Sequence, residues 1–194
     1  RFQMQNVWRA DKPQKGRFRE FYQCDADIVG TNSLLAEIEL IQLYDEVLST
    51  LGFNNIAIKI NNRKILSGIA QIVGVGDKIN DFLVSLDKFE KIGISNFKDE
   101  LRKKGFTSEA INKINLLFDQ KTSSSNILTR LKDLFKDSEI GLEGIEELNQ
   151  IVSKIDSLQL KCASLEIDIT LARGLDYYTG SIFEVKTIDF NIGS

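Results

Sequence analysis

From Asn61 to Ser157 nearly every segment repeats its apolar residues at helical spacing, and the stretches on either side read as strands. The segments DKINDFLVSLDKFEKIG, SNFKDELRKKGF, TSEAINKINLLFDQ, NILTRLKDLFKD and GLEGIEELNQIVSKI each carry the apolar stripe of a surface helix. Gly93, Gly105 and the Ser123–Ser125 run supply the breaks between them. Ahead of the block, FREFYQCDADIVG sets Phe21, Gln23 and Asp25 against Tyr22, Cys24 and Ala26, which predicts a strand with one buried and one polar face. RADKPQKGR, with Pro13 and Gly16, reads as the loop joining that strand to an earlier one. Leu34, Leu35, Ile38, Ile41, Val47, Leu48 and Leu51 then follow helical spacing, with Ser33 as N-cap and Gly52 as the stop. NIAIKI (Asn55–Ile60) alternates as a strand. Beyond the block, SLEIDITLARGLDYYTGSIFEVKTIDFNIG returns to strand character, and its middle, LARGLDYYTGSIFEV, has the outline of a β-hairpin.

The order sheet, helices, sheet predicts an α+β fold in which a sheet domain with a flanking helix is interrupted by a small helical insertion. The expected parts are residues 1–60, 61–157 and 158–194. The two sheet parts are expected to lie together although about 100 residues separate them.

Composition then narrows the chemistry. The chain has no histidine, which excludes Ser-His-Asp and Cys-His catalysis and His-ligated metals within these 194 residues. Its net charge of −3 creates no global basic field, so any nucleic-acid contact must be a local patch. Cys24 and Cys162 fit neither a metal nor a disulfide spacing and read as reduced thiols of a cytoplasmic protein. No run of about 18 apolar residues is present, and no membrane span is expected. The chain opens on RFQMQNVWRADK and closes on NIGS, and reads as an internal piece of a longer protein.

Two basic constellations stand out. Arg9, Lys12, Lys15, Arg17 and Arg19 crowd the Pro13–Gly16 loop, a shape suited to wrapping phosphates. Arg173 precedes Gly174, which lets a ligand approach the backbone closely. Arginines on neighbouring strands can hold a phosphate or carboxylate through bidentate forks. Gln23, Asp25 and Asp27 form a polar row on one strand face that can hydrogen-bond a small polar ligand. The plainer alternative makes Asp25 and Asp27 half-exposed acids paired with lysines, and Arg173 a surface salt bridge. For any one residue the plainer alternative is favoured; for the whole set it is not, because strand interiors are depleted in Asp and Gln.

RADKPQKGRFREFYQCDADIVG resembles motif 2 of class II aminoacyl-tRNA synthetases in the form found in histidyl-tRNA synthetases. LARGLDYYTGSIFEV resembles that family's Arg-Gly-Leu-Asp-Tyr-Tyr signature, and both motifs occur in the family's order with a helical insertion between them. The resemblance covers the two sheet regions well and the helical region by placement. It implies a class II synthetase-like sheet, mixed and mainly antiparallel. It also implies that motif 1 and the Thr-Pro-Glu loop precede residue 1, and that motif 3 and the anticodon-binding domain follow Ser194.

The implied reaction is activation of L-histidine by ATP, with Mg2+, and transfer to tRNA(His) by a cytoplasmic homodimer. The histidine carboxylate is already ionised when it attacks the α-phosphate, so positioning and charge stabilisation replace a general base. Arg9 and Arg173 match the two catalytic arginines at the α-phosphate and the substrate carboxylate. Asp11, Arg17 and Phe21 match positions at the ATP, Phe21 stacking on adenine. Gln23 matches the residue holding the α-amino group; Asp27 and Tyr178, with Tyr177 beside them, match the group that reads the imidazole. Many bacterial members have Glu where Asp27 stands, and CDADIVG resembles the eukaryote-like branch. Lys12 and Gln14 match positions meeting the acceptor end of the tRNA. No residue matches a metal ligand. Asp176, on the face opposite Tyr177, is expected to orient the neighbouring backbone or Arg173. Two rivals share the resemblance: the histidine-sensing regulatory subunit of ATP phosphoribosyltransferase, and a synthetase-like sensor domain of a larger kinase. Both tend to erode the arginines and the signature that stand intact here. A third, unrelated reading is a structural α+β domain whose basic loop binds surface phosphate.

Overall fold

The computed structural model describes residues 2–75, 78–117, 124–173 and 178–187. The chain begins with a hairpin of two short strands, β1 (Val7–Trp8) and β2 (Glu20–Phe21), paired antiparallel. Helix α1 (Leu35–Thr50) follows. Its N-cap is Leu34, with no side-chain cap; Ser33 Oγ, one residue outside, accepts the Leu35 N–H at 3.3 Å. At the other end Gly52 takes φ +87°, so its N–H reaches the Ser49 carbonyl and that of Phe53 reaches Leu48. That is the glycine stop expected for Gly52.

Strand β3 (Ile56–Asn62) runs directly into α2 (Arg63–Val73), where the Asn62 side chain accepts the Lys64 N–H at 2.8 Å. Five more helices follow: α3 (Ile79–Asp87), α4 (Phe89–Lys103), α5 (Ser108–Leu117), α6 (Ser124–Leu134) and α7 (Glu139–Leu158). Gly93, with φ +73°, breaks α4 internally. Strands β4 (Ala163–Ile167) and β5 (Ser181–Thr187) complete the described elements.

β3 is the centre of a three-stranded sheet, parallel to β4 and antiparallel to β5. Two of the three strand pairs among the described residues are therefore antiparallel, in a mixed α+β fold. One apolar core runs from Ile58 and Ile60 on β3 through Ile65, Leu66 and Ile69 of α2 to Ile151 and Ile155 of α7. It continues among the helices through Phe82, Phe97, Leu101 and Phe135, all at 0% exposure. Burying each such side chain contributes roughly 1.5–3 kcal/mol, the main force holding helices to sheet.

Two local expectations change. FREFYQCDADIVG is a strand only at Glu20–Phe21, and every residue from Tyr22 to Ser33 is exposed. Beyond Phe21 no neighbouring strand among the described residues takes up its backbone, so alternation alone does not bury a face. LARGLDYYTGSIFEV is not a hairpin either. β4 and β5 both pair with β3 and not with each other, so the segment crosses from one edge of the sheet to the other. Gly174, Asp176 and Tyr177 lie outside the described residues.

Candidate functional site

The first constellation is built by the β1–β2 hairpin. The Arg9 N–H donates to the Arg19 carbonyl at 2.8 Å, extending the ladder past the strands. Gln14 and Arg17 exchange both backbone hydrogen bonds, at 3.1 and 2.9 Å, around Lys15 and Gly16. Gly16 sits at φ +78°, a conformation glycine adopts without a Cβ penalty. The tight turn brings the arms together and crowds their side chains. Arg9 Nη2 donates to Gln23 Oε1 at 2.6 Å, and Gln23 Nε2 donates to Asp25 Oδ1 at 2.7 Å. The Arg9 guanidinium lies 5.1 Å from the Phe21 ring centroid, in cation–π range. Asp11 gathers the other arginines: Arg17 Nε meets its carboxylate at 3.0 Å and Arg19 Nε its carbonyl at 3.1 Å. Thus Arg9, Phe21 and Gln23 form one group, and Asp11 and Arg17 another. Lys12, Gln14 and Asp27 are exposed, Gln14 at the turn and Asp27 beyond β2.

The second constellation lies on the β3 sheet. Arg173 follows a turn in which Asp168 Oδ1 accepts both the N–H and the hydroxyl of Thr170, at 3.0 and 2.5 Å. The Leu171 N–H donates to the Asp168 carbonyl, and the buried Asn61 amide holds the Leu171 carbonyl at 2.9 Å. Arg173 Nε then lies 3.4 Å from Glu184 and 3.5 Å from Asp87. Arg9 and Arg173 do not stand on neighbouring strands: one follows β1 in the hairpin sheet, the other precedes β5 in the β3 sheet. Tyr178 is about half exposed.

Around Arg173 runs an ion network that the sequence reading did not single out. Lys59 Nζ meets Asp168 at 2.7 Å and Glu90 at 3.4 Å, and Lys186 pairs with Glu90. Burial pushes the Asp168 carboxyl up, but the Lys59 ammonium and the Thr170 donors outweigh it and hold the group below its usual range. Burial likewise disfavours charged Lys59, yet Asp168 and Glu90 raise it above its usual value. The Lys186 hydrogen bond, with Lys59 behind it, lowers Glu90 against its own burial. The signal for this network was present: Lys59 is the one charged residue of β3, and it sits opposite Glu184 in the register.

Among the described residues no group of three or more Asp, Glu, His or Cys side chains is placed to hold a metal, and no helix is long and apolar enough to cross a membrane.

Residues 3–188 match the family model described as histidyl-tRNA synthetase. Proteins named histidine–tRNA ligase from Christiangramia forsetii and Phocaeicola vulgatus are 54% and 53% identical, over 95% and 100% of the chain. The chain spans 41% and 42% of the length of these curated relatives. The crystal structure of histidyl-tRNA synthetase from Nostoc sp. PCC 7120 superposes with a TM-score of 0.85 at 33% identity, covering 97% of this chain and 44% of that one. A Bacillus halodurans structure titled ATP phosphoribosyltransferase regulatory subunit/histidyl-tRNA synthetase shares the fold, with a TM-score of 0.78 at 19% identity, over 97% of this chain and 47% of that one. With a family model matched from end to end of both sheet regions, the chain belongs to the histidyl-tRNA synthetase family.

Proposed function

We propose that the full-length protein is a histidine–tRNA ligase, and that this chain forms part of its catalytic core together with its helical insertion. The observation carrying this reading is the 54% identity, over 185 residues, to a protein named histidine–tRNA ligase. In the proposed reaction the histidine carboxylate attacks the α-phosphorus of ATP, the bond to pyrophosphate breaks, and the histidyl group then passes to tRNA(His). The nucleophile is already an anion, so a segment without histidine can support the step by holding charge in place.

The roles divide between the constellations. Arg9 and Arg173 hold the α-phosphate and the amino-acid carboxylate, Arg9 stabilised by the Phe21 ring and the Gln23 amide. Asp11, Arg17 and Phe21 serve ATP, while Gln23, Asp27, Tyr177 and Tyr178 serve histidine. Lys12 and Gln14, at the tip of the hairpin, face the tRNA acceptor end. The carboxylates of this network are each paired with a cation, Asp168 with Lys59, Glu90 with Lys186, and Asp87 and Glu184 with Arg173, which makes them poor resident metal ligands. Magnesium enters in this reading as part of the substrate, bound to ATP. The helices of residues 61–157 act as an insertion domain against the tRNA, and the protein works as a cytoplasmic homodimer.

Histidine-dependent ATP–pyrophosphate exchange by the full-length protein tests this reading. Exchange above background is expected; its absence, with histidine binding retained, would favour the regulatory-subunit alternative.

A further inference from the structure

The two carboxylates that hold Arg173 come from distant parts of the chain and meet the same atom. Arg173 Nε lies 3.4 Å from Glu184 Oε2 on β5 and 3.5 Å from Asp87 Oδ1 at the end of α3. Both contacts are made at Nε, the neck of the guanidinium. A guanidinium held at its neck can present its fork to a bidentate anion.

The Asp87 contact is one of several at the same place. Three residues on, Glu90 of α4 pairs with Lys59 on β3 and Lys186 on β5. The α3–α4 junction therefore meets three cations: Lys59, Lys186 and Arg173. With Asp168 and Glu184 included, four carboxylates face these three cations. A cluster so nearly self-neutralised is a poor anion site of its own, but it ties the helices to the sheet at the side chain assigned to the phosphate. Stability is not the obvious use of the Arg173 pairs, because partly exposed ion pairs contribute little. Orientation is a better one, since misplacing a catalytic group by about 1 Å can lower a rate roughly 10²-fold.

We infer that Asp87 and Glu184 are positioning residues for Arg173, and that the α3–α4 junction is a latch through which the placement of the helices sets the aim of the Arg173 fork. This rests on the reading of Arg173 as a phosphate-binding residue. A partner that leans on the helices and shifts α3 moves Asp87, and with it one of the two points that orient the guanidinium.

The test uses the full-length protein with Asp87→Asn, Glu184→Gln, Arg173→Ala and the two double variants that include Arg173→Ala. In histidine-dependent exchange, Glu184→Gln is expected to lower kcat about tenfold and Asp87→Asn roughly threefold to tenfold. In the Arg173→Ala background neither should lower it further by more than about twofold, since coupled residues are not additive. Losses that multiply in that background, or an Asp87→Asn enzyme equal to wild type, would overturn the inference. Hydrogen exchange of the β5 amides gives a readout independent of activity. Asp87→Asn should speed it when Arg173 is present and leave it unchanged in Arg173→Ala; equal effects in both backgrounds would remove the latch. A wild-type protein without pyrophosphate exchange would instead remove the proposed function, while the β5 amides still decide the latch.

Discussion

The Asp45 carboxylate on α1 accepts the backbone N–H of Cys162, 117 residues further along the chain, at 2.9 Å. The same carboxylate takes the N–H groups of Lys161 and Ala163 at 2.7 and 2.9 Å, so a single buried acid fixes the entry into β4. Asp45→Asn replaces one acceptor oxygen by a donor facing N–H groups, and is expected to destabilise the protein by about 2 kcal/mol in denaturant unfolding.

The same carboxylate sets a pH dependence. Burial pushes Asp45 up, but the three backbone donors outweigh it and its folded value falls below the usual aspartate range. A group lowered on folding contributes fully above its unfolded value, near 3.9, and loses that contribution as pH falls through the folded value. Wild type should therefore lose stability more steeply than Asp45→Asn below about pH 4, and acid titration of both proteins checks it.

The seam between α2 and α7 leaves no room for side chains at three glycines. A Cβ at Gly141 would come within 2.5 Å of the Phe135 ring, one at Gly144 within 2.8 Å of the Ile65 nitrogen, and one at Gly68 within 2.7 Å of the Gly141 Cα. Alanine gains up to about 1 kcal/mol in helix propensity, but overpacking costs roughly 1–3 kcal/mol. Each Gly→Ala change should therefore be destabilising or at best neutral. Phe135→Leu should partly rescue Gly141→Ala, whose Cβ has its three nearest contacts on that ring, and not Gly144→Ala, whose neighbours include backbone. Thermal unfolding of the singles and doubles reads this directly.

Lys59→Met removes the cation from a pair about four-fifths buried and leaves Asp168 facing Glu90 and Glu184 across the network. A loss of roughly 1–3 kcal/mol is expected, below that of a fully buried pair. In wild type the Asp168 contribution is present above about pH 4 and lost in acid, and that of Lys59 is present below about pH 10 and lost in alkali. Lys59→Met should lower this plateau and flatten its fall at both ends, because the variant has no Lys59 ammonium to lose in alkali and no Lys59 pair for Asp168 to lose in acid, as seen in unfolding measured across pH.

Arg9→Ala and Arg173→Ala should each lower histidine-dependent exchange by about 10²–10³ in the full-length protein, the scale of removing one fixed donor to a developing charge. A loss under tenfold for Arg173→Ala would withdraw its role. Asp27→Ala and Tyr178→Phe should instead raise the KM for histidine more than they lower kcat for exchange.

What the sequence made legible follows the range of the interactions. The apolar spacing of α1 and the Gly52 stop are local, and both stand in the structure. The Arg9–Arg19 crowd was legible because one tight turn makes it. The strand pairing was not. LARGLDYYTGSIFEV has the alternation of a hairpin, and no local signal says that β3 lies between β4 and β5. The Asp45 clamp and the Asp87–Arg173 pair were hidden for the same reason: each joins residues whose proximity exists only once the sheet is assembled.

The place of β3 at the centre of its sheet also has a consequence in time. A ribosome adds about 5–20 residues per second. β3 ends at Asn62, β4 begins at Ala163 and β5 at Ser181. The central strand is therefore made some 5–20 s before either neighbour exists, with two unpaired edges and a face carrying Ile56, Ile58 and Ile60. Its first companion is α2, which starts at the very next residue and can cover one face of the strand while the helices are still being synthesised. The nascent chain thus carries an open sheet edge from Asn62 until Ala163 is made, and its future sheet centre is exposed to wrong partners in that interval.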